Sequence, residues 1–296
     1  MKLTDSIEKL NASRGRAVTI GKFDGIHLGH RALIERTVAQ AESQNLTSCL
    51  VTFDRHPNVL LNPLSANRQL ISSRQKAELV SRLEIEEMVE LHFDDALASE
   101  SAEDFVERVL VRGLGAEAVV VGHDFKFGKG QLGNVSMLEA LGQKFGFTVQ
   151  VLKPVLFNGQ VVSSSRIKDM LESGDVSNAA RLLGRFHSNR GMVEHGLKIG
   201  RKIGFPTANL SRDSEGYLPL DAVYAGWLHD GENRHPAALS VGINETIQAV
   251  PRLVEAHVLG RKDLDLYDKE VTIEYVEFIR PSLKFDGVDA LIEAIN

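Results

Sequence analysis

Two domains of different architecture are predicted for this chain. The first is an α/β domain with an open, doubly wound parallel sheet; the second is an antiparallel β-barrel followed by a C-terminal helix. Three observations predict this. Apolar, β-rich runs alternate with helical patterns from 17 to about 154, the rhythm of parallel strands joined by crossover helices. After Gly184 the texture changes to short strand-like runs broken by Gly, Asp and Asn, the spacing of a barrel. The length, 296 residues, suffices for two cores. The expected division is 1–184 and 185–296.

In chain order, the first domain has strand candidates at 17–21, 47–53, 87–93, 117–122 and 148–153, and helix candidates at 30–44, 73–83, 101–113 and 135–145. Two further helical segments, 165–173 and 176–183, close it. A doubly wound sheet binds its ligand at the carboxyl ends of its strands. The segments Gly21–His30, Phe53–Pro57 and Gly122–Gly133 each follow a strand candidate, so they converge there. The barrel strands are expected at 190–195, 222–229, 236–242, 252–259 and 270–278. The last helix is read from Val288, Leu291, Ile292 and Ile295 at helical spacing.

Composition excludes several classes. An apolar fraction of 43% with 25% charged residues is that of a soluble globular chain. A net charge of −6 without a dense basic run argues against nucleic acid or an anionic membrane as partner. The one cysteine, Cys49, lies in an apolar run and is expected to be a small buried residue. One cysteine permits no internal disulfide, which fits a reducing compartment. Met1–Leu10 is polar rather than a signal sequence, and no apolar run reaches membrane-spanning length, so a cytoplasmic location is expected. Oligomeric state is not legible.

Gly21-Lys22-Phe23-Asp24-Gly25-Ile26-His27-Leu28-Gly29-His30 carries the most chemistry. It sits at a strand-to-helix turn, so His27 and His30 share one face near the positive end of the helix dipole. Gly29 between them removes a side chain where ligand oxygens must come close. The pair suits a phosphate undergoing attack. It could also be half of a metal site, completed by Asp24 or His56. Val162-Ser163-Ser164-Ser165-Arg166 opens a later helix; its hydroxyls can cap that helix, and Arg166 beside free N–H groups suits phosphate.

Some patterns mislead. Ser165-Arg166-Ile167-Lys168 matches S-x-x-K, but no Lys-Thr-Gly accompanies it. Gly128–Gly133 matches G-x-G-x-x-G after a charged stretch rather than a strand end, so a dinucleotide fold is not expected. Three glycosylation sequons lack a secretory signal.

In the second domain, Gly191, Gly196, Gly200 and Gly204 stand among Lys198, Arg201 and Lys202, before Gly204-Phe205-Pro206-Thr207-Ala208-Asn209. By itself this reads as a flexible basic turn before an edge strand. Along Leu253–Val258 the apolar face is Val254, Ala256 and Val258, leaving Glu255 and His257 on the other. A carboxylate there is ordinarily solvated.

The turn with His-x-Gly-His and the later Ser-Ser-Ser-Arg resemble the nucleotidylyltransferase superfamily. With Thr52-Phe53-Asp54-Arg55-His56-Pro57, Gly122–Gly128 and Gly204–Asn209 added, the chain resembles, nearly end to end, the prokaryotic bifunctional riboflavin kinase/FAD synthetase family. The resemblance implies a Rossmann-like nucleotidylyltransferase domain and a riboflavin kinase barrel. It implies that riboflavin and ATP give FMN, and that FMN and a second ATP give FAD and pyrophosphate. In the first domain, Gly21, Phe23, Asp24 and Gly29 would line the ATP site. His27 and His30 would grip the α-phosphate, and Ser164, Ser165 and Arg166 the pyrophosphate. Asp124 would lie by the flavin phosphate or the ATP. In the second, Gly191, Gly200 and Gly204 would cover the nucleotide phosphates. Thr207 and Asn209, alternating on one strand face, would hold Mg²⁺. Glu255 would be the general base for the weakly acidic riboflavin hydroxyl. Asn244 and Thr246 would meet the flavin. Mg²⁺ would serve both reactions.

The chain departs from the family in reading Ser165 for a common Thr, Ala222 for a common Gly, and Asn244-Glu245-Thr246-Ile247 for Asn-Pro-Thr-Phe. The last change removes a fixed φ and an aromatic surface. Rival readings are a transferase with a merely flavin-binding barrel, another nucleotidyl transfer, and a non-catalytic flavin sensor. The joint presence of His27, His30, Arg166, Thr207, Asn209 and Glu255 speaks against the last, since sensing needs no transition-state groups.

Overall fold

A computed structural model describes residues 1–7, 10, 14–55, 69–195, 204–242, 252–261 and 263–283. It divides into two compact units, Met1–Ser163 and Ser164–Asn296.

The first unit is built on six strands: β1 (Lys2–Thr4), β2 (Arg16–Ile20), β3 (Thr47–Phe53), β4 (Glu87–Leu91), β5 (Ala116–Gly122) and β6 (Thr148–Leu152). Their order is β1-β4-β3-β2-β5-β6 and every neighbour pair is parallel. This is the expected doubly wound sheet. Its inner strands read as continuous apolar runs because both faces are covered; all of β2 and the middle of β3 are buried. β1 was not expected in the polar start of the chain. It needs only three residues, because an edge strand completes one ladder alone.

Helices α1 (Leu28–Gln44), α2 (Ser73–Ser81), α3 (Asp95–Ser99), α4 (Ala102–Phe105) and α5 (Val135–Phe145) join the strands. A capping box starts α2, with Ser72 and Gln75 each bonding the other's backbone. The helix expected over 101–113 changes winding. After α4 it continues as a π-helix, Val106–Gly113, whose Val106, Val109 and Leu110 enter the core. A small hairpin, β7 (Leu156–Phe157) and β8 (Gln160–Val161), follows β6.

At the amino ends of the strands, Arg16 reaches across β3 to Glu87 at 2.6 Å and donates to the Leu114 carbonyl at 2.8 Å. That buried pair ties β2 to β4. Cys49 is wholly buried beside it, and burial pushes its thiol up to about 12, so it is the inert core residue expected. From β2 the chain winds through β3 to β4 on one side, then crosses to β5 and β6 on the other side of β2, so the winding reverses between β2 and β5. The crevice therefore opens at the carboxyl ends of those strands.

The second unit begins with α6 (Ser164–Glu172) and α7 (Val176–Leu183). The boundary expected at 184/185 thus differs from the packing boundary, because α7 packs on strands of the barrel. Six antiparallel strands close that barrel in the order β10-β13-β12-β11-β14-β9. They are β9 (His187–Glu194), β10 (Ala208–Leu210), β11 (Ala222–His229), β12 (Arg234–Gly242), β13 (Leu253–Val258) and β14 (Glu270–Pro281). Burial alternates along each, as a sheet with one solvated face requires. Inside, Asn189 is wholly buried but satisfied: the Tyr275 hydroxyl donates to it at 2.7 Å and its amide donates to the Glu215 carbonyl at 3.1 Å. The helix expected around Val288–Ile295 lies outside the described residues. Among the described residues no helix is long and apolar enough to cross a membrane.

Candidate active sites

The turn after β2 is wound unusually tightly. Phe23, Gly25 and Ile26 have φ of 49°, 94° and 41°, so two non-glycine residues adopt the left-handed conformation. Backbone strain of this kind persists only where packing enforces it. Here Phe23 and Ile26 are 1% and 2% exposed and act as the anchors. Asp24 is also buried, its Oδ1 accepting the Leu70 N–H at 2.7 Å. The turn delivers His27 to the N-cap of α1, where its Nδ1 accepts the His30 N–H at 3.3 Å. A neutral His27 ring therefore carries its proton on Nε2, as a donor.

The two imidazoles stack, 3.6 Å between centroids and 16° between planes. Phe23 meets His30 edge-on at 5.2 Å. Phe23 thus supports the histidine from beneath. A Cβ on Gly29 would lie 3.2 Å from the His27 ring, so the glycine leaves room for that stack. Gly21 ends the strand, donating its N–H to the Val51 carbonyl at 3.1 Å. The Nδ1 of His30 is covered and has no hydrogen-bond partner among the described residues. The metal alternative requires a third ligand. Among the described residues no three His, Cys, Asp or Glu side chains gather to hold an ion, and His56 lies outside them.

Burial, the neighbouring His27 and then Lys76 hold His30 well below its usual 6.5. The folded protein keeps the ring neutral, whereas the unfolded chain takes up a proton from about pH 6.5 downward. Stability should therefore fall as pH drops below about 6.5, until the lowered folded value is passed. The drop in thermal midpoint between neutral and mildly acid pH should be smaller in His30→Leu than in the parent chain.

Two more sequence-predicted groups follow strands of the first unit. Asp54 follows β3, accepting from the Phe93 N–H at 3.0 Å and meeting His92 Nδ1 at 2.6 Å. Asp124 follows β5 and is 84% exposed, 3.9 Å from His123. Ser164, Ser165 and Arg166 form the first turn of α6, in the second unit.

In the barrel, strand register assembles what the sequence left apart. Asn209 on β10 is paired directly with Glu255 on β13, and Ser240 on β12 flanks Glu255 on its other side. Cross-strand partners have Cβ atoms about 4.5–5.5 Å apart on one face. Ala208, Leu210, Val254 and Ala256 fill the interior, so Asn209 and Glu255 point outward, half-buried. Thr207 precedes β10 in the same phase as Asn209. His257 Nδ1 lies 2.8 Å from the Pro206 carbonyl, and its ring meets Phe205 at 5.6 Å. A carbonyl only accepts, so His257 donates there and fixes the segment leading to Thr207. The oxygens of Thr207 and Asn209, beside a carboxylate, are hard donors of the kind Mg²⁺ takes.

Gly191 lies within β9, where a Cβ would press on Ser214 at 2.9 Å; strand packing accounts for this glycine. Gly204 turns with φ 91° ahead of Phe205. Gly200, Asn244 and Thr246 lie outside the described residues.

Two family models cover the chain: FAD synthetase over residues 9–166 and riboflavin kinase over 183–296. The bifunctional riboflavin kinase/FMN adenylyltransferase of Pseudomonas fluorescens is 34% identical, over 100% of this chain and 95% of its own. This chain belongs to the bifunctional riboflavin kinase/FMN adenylyltransferase family. The family's member from Haemophilus influenzae is 34% identical over 95% of this chain and 92% of its own, and that from Escherichia coli K12 is 30% identical over 98% and 93%. A crystal structure titled as a macrolide-efflux protein from Streptococcus pneumoniae has a TM-score of 0.89 and 29% identity, over 99% of this chain and 95% of that one. The FAD synthetase match ends at Arg166, so Ser164–Arg166 go with the first domain by family and with the second unit by packing.

Lys76 was missed in the sequence. It is 3% exposed and lines a cleft with Lys22, Asp24, Phe53, Arg55 and Gln69. A faint signal existed: Lys76 and Val80, four apart, share the buried stripe of α2.

Proposed function

We infer that this chain makes FAD from riboflavin in two ATP-dependent steps, phosphorylation to FMN and adenylylation of FMN. The observation that carries the reading is that each matched family coincides with its own phosphate chemistry: a stacked imidazole pair at a helix N-terminus, and a Thr-x-Asn strand registered against Glu255.

In adenylyl transfer, an FMN phosphate oxygen attacks the α-phosphorus of ATP and the bond to pyrophosphate breaks. The second pKa of a phosphomonoester is about 6, so the nucleophile is already ionised at neutral pH and no base is required. His27 and His30 donate to the α-phosphate oxygens as charge builds on them. Neutral rings suffice for this, and the α1 dipole adds to the field. Ser164, Ser165 and Arg166, inside the residues matched to FAD synthetase, are assigned the pyrophosphate oxygens on sequence. Asp124 is assigned to the nucleotide or flavin side of the crevice.

In the kinase step, the riboflavin 5′-oxygen attacks the γ-phosphorus, its bond to ADP breaks, and Glu255 takes the hydroxyl proton. Thr207 and Asn209 would hold Mg²⁺, which when bound offsets phosphate charge. His257 keeps the Phe205–Thr207 segment in place. The functional division follows the expected 1–184 and 185–296, the substrates are small molecules, and the setting is cytoplasmic.

Purified protein given riboflavin, ATP and Mg²⁺ should yield FMN and then FAD on chromatography, and FMN supplied directly should yield FAD. FAD from FMN but none from riboflavin would leave the barrel as a binding module. Neither product would refute the reading.

A further inference from the structure

The cleft beside the imidazole pair holds a charge that this mechanism leaves idle. Lysine is rarely buried unless it is fully paired, and the pairing of Lys76 is incomplete. Its Nζ donates to Thr52 Oγ1 at 3.1 Å and to the Phe53 carbonyl at 3.4 Å. Glu90 is 3.9 Å away, and its near oxygen already accepts the Ser73 hydroxyl at 2.7 Å. An ammonium has three N–H donors. Two go to neutral oxygens, and the third has no acceptor within hydrogen-bond distance among the described residues.

The surroundings point to what the third donor meets. Lys22 and Arg55 line the cleft with Lys76. Asp24, the carboxylate in that lining, already bonds the Leu70 N–H. A cleft lined by three cationic side chains, of which Arg55 is 3.8 Å from Asp54, suits an anionic oxygen at the remaining Lys76 donor. Its place is also functional. Lys22 and Asp24 belong to the same turn as His27 and His30, and Lys76 is close enough to act on His30 electrostatically.

The ammonium is held in position before any ligand arrives. Thr52 and Phe53 end β3, and the Thr52 hydroxyl donates onward to the Lys22 carbonyl at 3.1 Å. One side chain from α2 thereby joins the ends of two strands that frame the crevice. Burial lowers the proton affinity of Lys76, with Glu90, Asp24 and Asp54 working the other way. A bound phosphate would oppose the lowering further.

We propose that Lys76 is a substrate-binding residue of the adenylyl-transfer site, donating from Nζ to an ionised phosphate oxygen of either the phosphomonoester or the triphosphate. This rests on the adenylyl-transfer reading above. The test is Lys76→Met in the full chain, which keeps the stem and removes the donors. FAD formation is followed while ATP and FMN are varied separately, with FMN formation and thermal midpoint as controls. We expect kcat/KM for FAD formation to fall about a hundredfold, with KM rising for ATP if the triphosphate is the partner and for FMN if the phosphomonoester is. FMN formation should be unchanged. Unaltered KM for both substrates would overturn the proposal and make Lys76 a packing residue. If the Met variant does not fold, Lys76→Gln, which removes the charge and keeps a polar side chain for Thr52, is judged by the same criterion. A parent chain that forms no FAD at all would instead refute the underlying reading.

Discussion

His30→Ala should reduce FAD formation about a hundred- to a thousandfold, the loss of roughly 2.7–4 kcal/mol of transition-state stabilisation, and leave FMN formation intact. His30 is a better target than His27. His27 accepts the His30 N–H as the N-cap of α1, so removing it would also cost about 1 kcal/mol of helix stability. The backbone N–H of His30 survives the substitution, and so does the cap. What goes is the ring that stacks on His27 at 3.6 Å, together with its covered Nδ1, which has no partner among the described residues. The measurement is product chromatography from FMN and ATP, then from riboflavin and ATP, with thermal unfolding as control. Equal loss of both products at normal stability would show that the two reactions do not have separate residues.

Glu255→Gln should do the reverse. Removing a general base lowers the rate of the step it serves by about a hundred- to ten-thousandfold. FMN formation from riboflavin should fall by that factor, while FAD formation from supplied FMN stays normal. Glutamine keeps the side chain's volume beside Asn209 and Ser240, so the β10–β13–β12 register should be retained. A pH profile separates the roles: if Glu255 is the base, the acid limb of FMN formation seen in the parent chain should vanish in the variant. A Gln variant with full kinase rate would return Glu255 to an ordinary solvated strand carboxylate.

Much of the fold was legible in local pattern. Thr47–Phe53, Val135–Phe145, Val176–Leu183 and Ala222–His229 occupy the residues expected. In each, periodicity coincides with strong punctuation, such as the left-handed caps at Gly146 and Gly184. The His-x-Gly-His turn and the Thr-x-Asn strand were legible for the same reason, since their residues are adjacent in sequence. The π-winding of Val106–Gly113 was not, because α- and π-turns present nearly the same apolar stripe over so short a run. Nor was the affiliation of α6 and α7, whose amphipathic patterns say that they bury a face but not against which core.

The sequence by itself determined most of the strands and helices, though not β1, the β7–β8 hairpin or the π-winding, and it named the groups expected to meet phosphate. Periods of two and 3.6 residues are properties of neighbouring positions, and so are caps and turns. Only the tertiary structure decided the partners: β2 between β3 and β5, Asn209 opposite Glu255, and Lys76 lodged against the ends of β3. Register and burial depend on contacts between residues far apart in the chain, where many pairings satisfy the same local pattern. The choice among them is made by the packing of the whole unit, so a lysine that reads as surface can end up buried at the floor of a cleft.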